Sequence, residues 1–136
     1  MLCLHDRYKG KKILVVEDNK INQKVIVAKL RKFGLVPDIA DNGQIALNLL
    51  AKNSYDLIFM DCHMPVMDGY AAVRELRFLE TSRSLPHQTV IALTANAMLG
   101  EREKCLEAGM DDYLTKPVVS EDLMALLADR LDCNRS

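Results

Sequence analysis

The four cysteines, at positions 3, 62, 105 and 133, form no Cys-x-x-Cys pair, and no histidine stands at zinc-ligand spacing from them. A structural zinc site is therefore not expected, and the thiols read as reduced packing residues in a cytoplasmic setting. The six glycines, at 10, 34, 43, 69, 100 and 109, make neither GxGxxG nor GxxxxGK, so no nucleotide-type phosphate loop is present. Charge of either sign is not in excess: 18 Lys and Arg face 19 Asp and Glu, for a formal net charge of −1. That balance gives no general attraction to nucleic acid or to an anionic membrane. No apolar run approaches the roughly 20 residues of a membrane span. The opening, Met1 to Lys12, is mixed and charged and lacks the apolar core of a signal peptide. Internal repeats and low-complexity segments are missing, and too little chain follows the last periodic segment for a helix-turn-helix.

What is present is an ordinary globular composition, 49% hydrophobic and 27% charged over 136 residues, which suits one domain with a proper core. Residues 1–11 read as a tail or linker, 12–132 as the domain and 133–136 as a second tail. Ile13-Leu14-Val15-Val16 is a short β-branched run that stops at Glu17-Asp18-Asn19. Asn19 is a helix N-cap candidate, and Ile21, Val25, Ala28 and Phe33 recur at near-helical spacing before Gly34. Leu35 to Ala40 is expected as a strand, at a sheet edge because Pro37 lacks an N–H. A helix follows Asp41-Asn42-Gly43, with Ile45, Leu47, Leu49 and Leu50 as its apolar positions.

Leu57-Ile58-Phe59-Met60 is too short for a helix and apolar throughout, as a strand buried on both faces must be. It ends at Asp61. A helix opening at Asp68 or Gly69 carries Ala72, Val73, Leu76 and Leu79, and residues 81–88 form a polar loop. Thr89 to Leu93 is a strand ending in Thr94-Ala95-Asn96, followed by a helix from about Ala97 to Ala108. Tyr113 to Thr115 is a short strand ending at Lys116-Pro117, and Ser120 opens a last helix through Leu131. Strand starts roughly 20–30 residues apart define βαβ units. The expected fold is α/β, a flavodoxin-like (βα)5 doubly wound parallel sheet in the order 2-1-3-4-5.

In such a sheet every strand ends on one edge, where ligands bind. That edge collects Glu17 and Asp18, Asp61, Thr94 and Lys116. Carboxylates this close repel one another and call for a cation, and Mg²⁺ suits the oxygen ligands best, with Mn²⁺ as a substitute. Lys116 adds a point charge and Thr94 a hydroxyl, both suited to phosphoryl oxygens. The sum is a site for placing a phosphoryl group on a carboxylate.

Val15-Val16-Glu17-Asp18-Asn19, Met60-Asp61-Cys62-His63-Met64-Pro65-Val66-Met67-Asp68-Gly69, Leu93-Thr94-Ala95 and Tyr113-Leu114-Thr115-Lys116-Pro117 resemble the response-regulator receiver domain of two-component signalling. With Asn22-Gln23 and Asp61-Cys62-His63-Met64-Pro65, the likeness is to receivers fused to hybrid sensor histidine kinases. It implies that Asp61 is the phosphoacceptor and that Glu17, Asp18, Asp61 and the backbone carbonyl of His63 hold the metal. It further implies that Thr94 is the switch hydroxyl, Tyr113 the aromatic that moves with it, and Lys116 the phosphoryl-binding lysine before a cis proline. The resemblance also implies that His63 and Asn96, flanking the chemistry, tune phosphoaspartate hydrolysis. The implied partners are a histidine kinase dimerisation domain or a histidine phosphotransfer protein. Contact with nucleic acid or membrane is not expected of the domain itself. The implied location is cytoplasmic, including the cytoplasmic part of a membrane-bound sensor kinase. Its only catalysis would be its own phosphorylation and dephosphorylation.

Blander roles stand beside these. Asp61 alone is a loop cap, Glu17-Asp18 a helix cap, Thr94 an N-cap, and Tyr113 a half-buried strand aromatic. A stand-alone regulator is the nearest functional alternative. A Mg²⁺-dependent aspartyl phosphatase of the haloacid dehalogenase kind needs a second Asp two places after the nucleophile, where His63 stands.

Overall fold

The computed structural model describes residue 8 and residues 10–64, 67–95 and 99–131. Strands β1 (Ile13–Val16), β2 (Asp38–Ala40), β3 (Leu57–Asp61), β4 (Val90–Thr94) and β5 (Asp112–Thr115) alternate with helices α1 (Lys20–Arg31), α2 (Gly43–Lys52), α3 (Gly69–Ser82), α4 (Leu99–Ala108) and α5 (Ser120–Leu131). All pairings are parallel and the order is β2-β1-β3-β4-β5, as expected for a doubly wound flavodoxin-like sheet. β1, β3 and β4 are buried at every residue, which is why they carry no polar alternation.

The two-residue period of the strands divides the core. Leu14, Val16, Ile58, Met60, Val90 and Ala92 face α2, α3 and α4. Ile13, Val15, Leu57, Phe59, Ile91 and Leu93 face α1 and α5. Tyr8 belongs to the second layer, 2% exposed with its ring 6.5 Å from that of Phe33, so packing begins ahead of the first strand. Three helices start on side-chain caps: Asn19 accepts from the Asn22 N–H, Asn42 from Ile45 and Asp68 from Ala71.

Three local expectations are corrected. The seam of α1 that meets the sheet is Gln23, Ile26 and Leu30, while Ile21 and Val25 are 73% and 42% exposed. Gln23 takes a core position because its amide donates to the Glu17 carbonyl and to Asp41 Oδ1, the latter at 2.8 Å. Strand β2 pairs only over Asp38–Ala40, leaving Pro37 ahead of the ladder, and Leu35 is buried where α1 turns toward it. Helix α3 continues through Ser82, so the polar loop starts later than its composition suggests.

Candidate functional site

Parallel register brings the strand ends together. Val16 pairs with Met60, Asp61 with Leu93 and Thr94 with Thr115, so the residues that follow emerge on one edge. β1 and β3 are adjacent with β2 and β4 on their outer sides, which makes their carboxyl ends the switch point of the sheet. Carboxylate oxygens of Glu17, Asp18 and Asp61 lie there within 4.8 Å of one another, Glu17 and Asp61 buried and Asp18 exposed.

Lys116 reaches this group from the end of β5. Its Nζ is 2.7 Å from Glu17 Oε1 and 3.1 Å from Asp61 Oδ2. Burial pulls the Lys116 ammonium toward deprotonation, but the hydrogen bond to Glu17 and the charge of Asp61 outweigh it, and its pKa is raised. The Lys116–Pro117 bond is cis, as the resemblance implies. The remaining oxygens are held by backbone: Asp61 Oδ1 accepts from the His63 N–H at 3.2 Å, and Glu17 Oε2 from the Asn19 N–H at 3.2 Å. Lys20 and Gln23 both bond Asp41 Oδ1, at 2.9 and 2.8 Å, which braces the loop after β2 against α1.

Gly69 is required by a close approach. A Cβ there would sit 2.2 Å from the Asp61 carbonyl oxygen, and the Gly69 N–H bonds the Cys62 carbonyl at 3.2 Å. The start of α3 is thereby seated directly on the end of β3.

The other expected residues are placed as follows. Thr94 is fully buried, and its hydroxyl donates to Glu101 Oε1 at 3.2 Å. Tyr113 is half-buried and packs against the α2–α3–α4 layer. The side chain of His63 is 60% exposed, with Nε2 3.4 Å from Glu101 Oε1. Asn96 lies outside the described residues.

Glu101 and Tyr70 were not singled out by the sequence. Tyr70 is buried and its hydroxyl donates to Glu101 Oε1. That hydrogen bond holds the Glu101 carboxyl below its usual range, against the effect of burial and with help from Thr94 and His63. Cys62 and Cys105 lie beneath, Sγ to Sγ 3.8 Å, buried as the sequence reading expected of Cys62. Burial pushes the Cys62 thiol up, and the nearby Cys105 adds to the effect. No short motif marks Glu101; its contacts are made across α4, α3 and β4, and only the seven-residue step from Thr94 within one βα unit hints at them.

A buried acidic pair with an exposed third carboxylate, closed by one lysine, stands at the switch point of a (βα)5 sheet, where such folds place their ligands. The family profile described as the response regulator receiver domain matches residues 13–128. The chain belongs to the response regulator receiver domain family. It is 41% identical over 124 residues, 85% of its length, to hybrid signal transduction histidine kinase B of Dictyostelium discoideum, of which it spans only 6%. The crystal structure of the receiver domain of sensor histidine kinase PA1611 from Pseudomonas aeruginosa, with magnesium coordinated in the active site cleft, superposes with a TM-score of 0.78. Identity there is 46%, covering 90% of this chain and 98% of that one. The co-crystal structure of the Saccharomyces cerevisiae histidine phosphotransfer signaling protein Ypd1 with the receiver domain of its downstream response regulator Ssk1 gives a TM-score of 0.84. Identity is 33%, covering 93% of this chain and 92% of that one.

Proposed function

We propose that this domain is the phosphoacceptor switch of a phosphorelay, taking a phosphoryl group from a phosphohistidine onto Asp61. The observation that carries the reading is the Lys116 ammonium held between Glu17 and Asp61, with Asp18 beside them. An Asp61 carboxylate oxygen attacks phosphorus and the P–N bond of the donor breaks. The electron pair returns to the imidazole nitrogen, which takes up a proton on release. Lys116 contributes a fixed positive charge where phosphoryl oxygens arrive, the kind of electrostatic stabilisation that dominates phosphoryl transfer. Thr94 supplies a hydroxyl donor, and Tyr113 on the same edge follows its movement.

The donor set fits a hard divalent cation: three carboxylates, all oxygen, of which Asp18 is exposed. Glu17, Asp18, Asp61 and the His63 carbonyl would hold Mg²⁺, or Mn²⁺ in its place. When bound, the ion offsets the negative charge that carboxylates and phosphoryl group bring together.

The partner we propose is a histidine phosphotransfer protein or the dimerisation domain of a histidine kinase. Exposed Val25 on α1 lines a cleft with Lys116, Pro117 and Val118, and exposed Ile21 stands on the same helix, an apolar surface suited to a helical partner. The chain is read as the receiver part of a hybrid kinase, supported by the hybrid-kinase relative and by Asn22-Gln23. Among the described residues no helix is long and apolar enough to cross a membrane. A cytoplasmic setting is part of the same proposal. Turnover as an aspartyl phosphatase is disfavoured because the residue two places after Asp61 is His63, whose ring is engaged with Glu101.

The test is incubation with acetyl phosphate and Mg²⁺, read by intact mass. One added phosphoryl group, labile to hydroxylamine and absent from Asp61→Asn, is expected. Equal labelling of Asp61→Asn would remove Asp61 from the mechanism.

A further inference from the structure

Glu101 stands in the first turn of α4, yet the side chains it engages belong to other elements. One carboxylate oxygen, Oε1, receives the Thr94 hydroxyl from β4 at 3.2 Å and the Tyr70 hydroxyl from α3. The His63 ring from the β3–α3 loop stands 3.4 Å from the same atom. The Glu101 side chain is only 12% exposed, and Lys104 Nζ, one turn further along α4, sits 4.8 Å over the Tyr70 ring. These contacts tie α4 to three of the elements on which Asp61 and its neighbours stand. Helix capping does not account for them, because a capping carboxylate bonds N–H groups of its own first turn.

A hydroxyl has one proton to donate. While Thr94 donates it to Glu101, the same proton is not available to a phosphoryl oxygen on Asp61. The two acceptors therefore compete for one donor, and each is charged, which makes either bond stronger than a neutral one.

We propose that Glu101 is a positioning residue that latches the Thr94 hydroxyl to α4 in the unphosphorylated domain, so that phosphorylation must break this bond to engage Thr94. The proposal rests on the phosphoacceptor reading above and deepens it. By linkage, whatever free energy the latch contributes opposes the phosphorylated conformation by the same amount. Tyr70 and His63 keep Glu101 in place after Thr94 leaves, so α4 loses one tether and retains the others. The latch thus connects the chemistry at Asp61 to the N-terminal end of α4 through a single proton.

The experiment measures the rate of acetyl phosphate labelling and the affinity for beryllofluoride with Mg²⁺, alongside the methyl NMR signal of Thr94. Glu101→Ala should bind beryllofluoride on the order of tenfold more tightly, the range set by loss of one charge-assisted bond. Its Thr94 methyl signal, without beryllofluoride, should move toward the position the wild type takes when loaded. Tyr70→Phe, which loosens Glu101, should change both readouts in the same direction but less. Glu101→Gln keeps the shape with a weaker acceptor and should fall between wild type and Glu101→Ala, which guards against misfolding of the alanine variant. In a Thr94→Ala background, Glu101→Ala should change nothing further. If the gain persists in that background, or if Glu101→Ala binds no tighter than wild type, the latch is wrong. If wild type itself takes no phosphoryl group, the phosphoacceptor reading fails instead, and the two failures are distinguishable.

Discussion

The two edges of the sheet treat their charges in opposite ways. At the amino edge Arg77 donates to the Gly109 and Gln88 carbonyls at 2.9 and 2.8 Å, to Glu80 at 2.9 Å and to Asp111 at 2.8 Å. Asp111 in turn accepts from the Val90 N–H and meets His87, each at 2.8 Å, while Glu80 accepts from the Gln88 N–H. Glu80 and Asp111 thus each have a cation and a backbone donor. At the carboxyl edge one ammonium is divided between Glu17 and Asp61, and Asp18 crowds them from the solvent side. The first arrangement is complete and holds β4, β5, α3 and α4 in register. The second is short of positive charge, and on the proposed function that shortage is where a cation would be taken up.

Variants that trade on this contrast should separate cleanly. Lys116→Ala should reduce the acetyl phosphate labelling rate by about 10² to 10³, as expected for removal of a preorganised electrostatic contact. Arg77→Ala should lower unfolding free energy by about 3 kcal/mol in a urea titration, because Glu80 and Asp111 are left without their cation. Its labelling rate at 25 °C should stay at the wild-type value; a large loss of labelling would mean that the edges are not independent. Mg²⁺ at ten times its Kd should raise the wild-type Tm by about 5 °C, reversibly on chelation. The shift should persist in Arg77→Ala and grow in Lys116→Ala, where the ion replaces a missing charge.

The smallest effect is one of pH. The folded-state pKa of Lys116 is raised above its ordinary value of 10.5, so the stability it contributes is fully present below that value. That stability is lost as pH rises through the raised value. The difference in urea midpoint between wild type and Lys116→Met should therefore shrink as pH rises above 10.5, and a constant difference would contradict the pairing with Glu17 and Asp61.

Much of the site is legible in the sequence, for a physical reason. Strand ends in a parallel sheet share one edge, so Glu17, Asp18, Asp61, Thr94 and Lys116 could be gathered from their positions alone. Where the reading missed, tertiary hydrogen bonds had replaced hydrophobic pattern. Gln23 is buried because the Glu17 carbonyl and Asp41 await it, and Ile21 and Val25 face outward in consequence. The apolar phase of α1 therefore pointed to the wrong face. Glu101 was invisible because its meaning lies in Thr94, Tyr70 and His63, three residues from elsewhere in the chain. Tyr8 was passed over as part of a tail since a single aromatic has no period.

The Gly69 contact has a mechanical consequence. There is no room for even a methyl group between Asp61 and the first turn of α3, so on the proposed function those two pieces would act as an anvil when the aspartate is loaded. Displacement would then fall to the opposite jaw, where β4 carries Thr94 and α4 carries Glu101. A glycine with no chemistry of its own would thereby set the direction of the proposed switch.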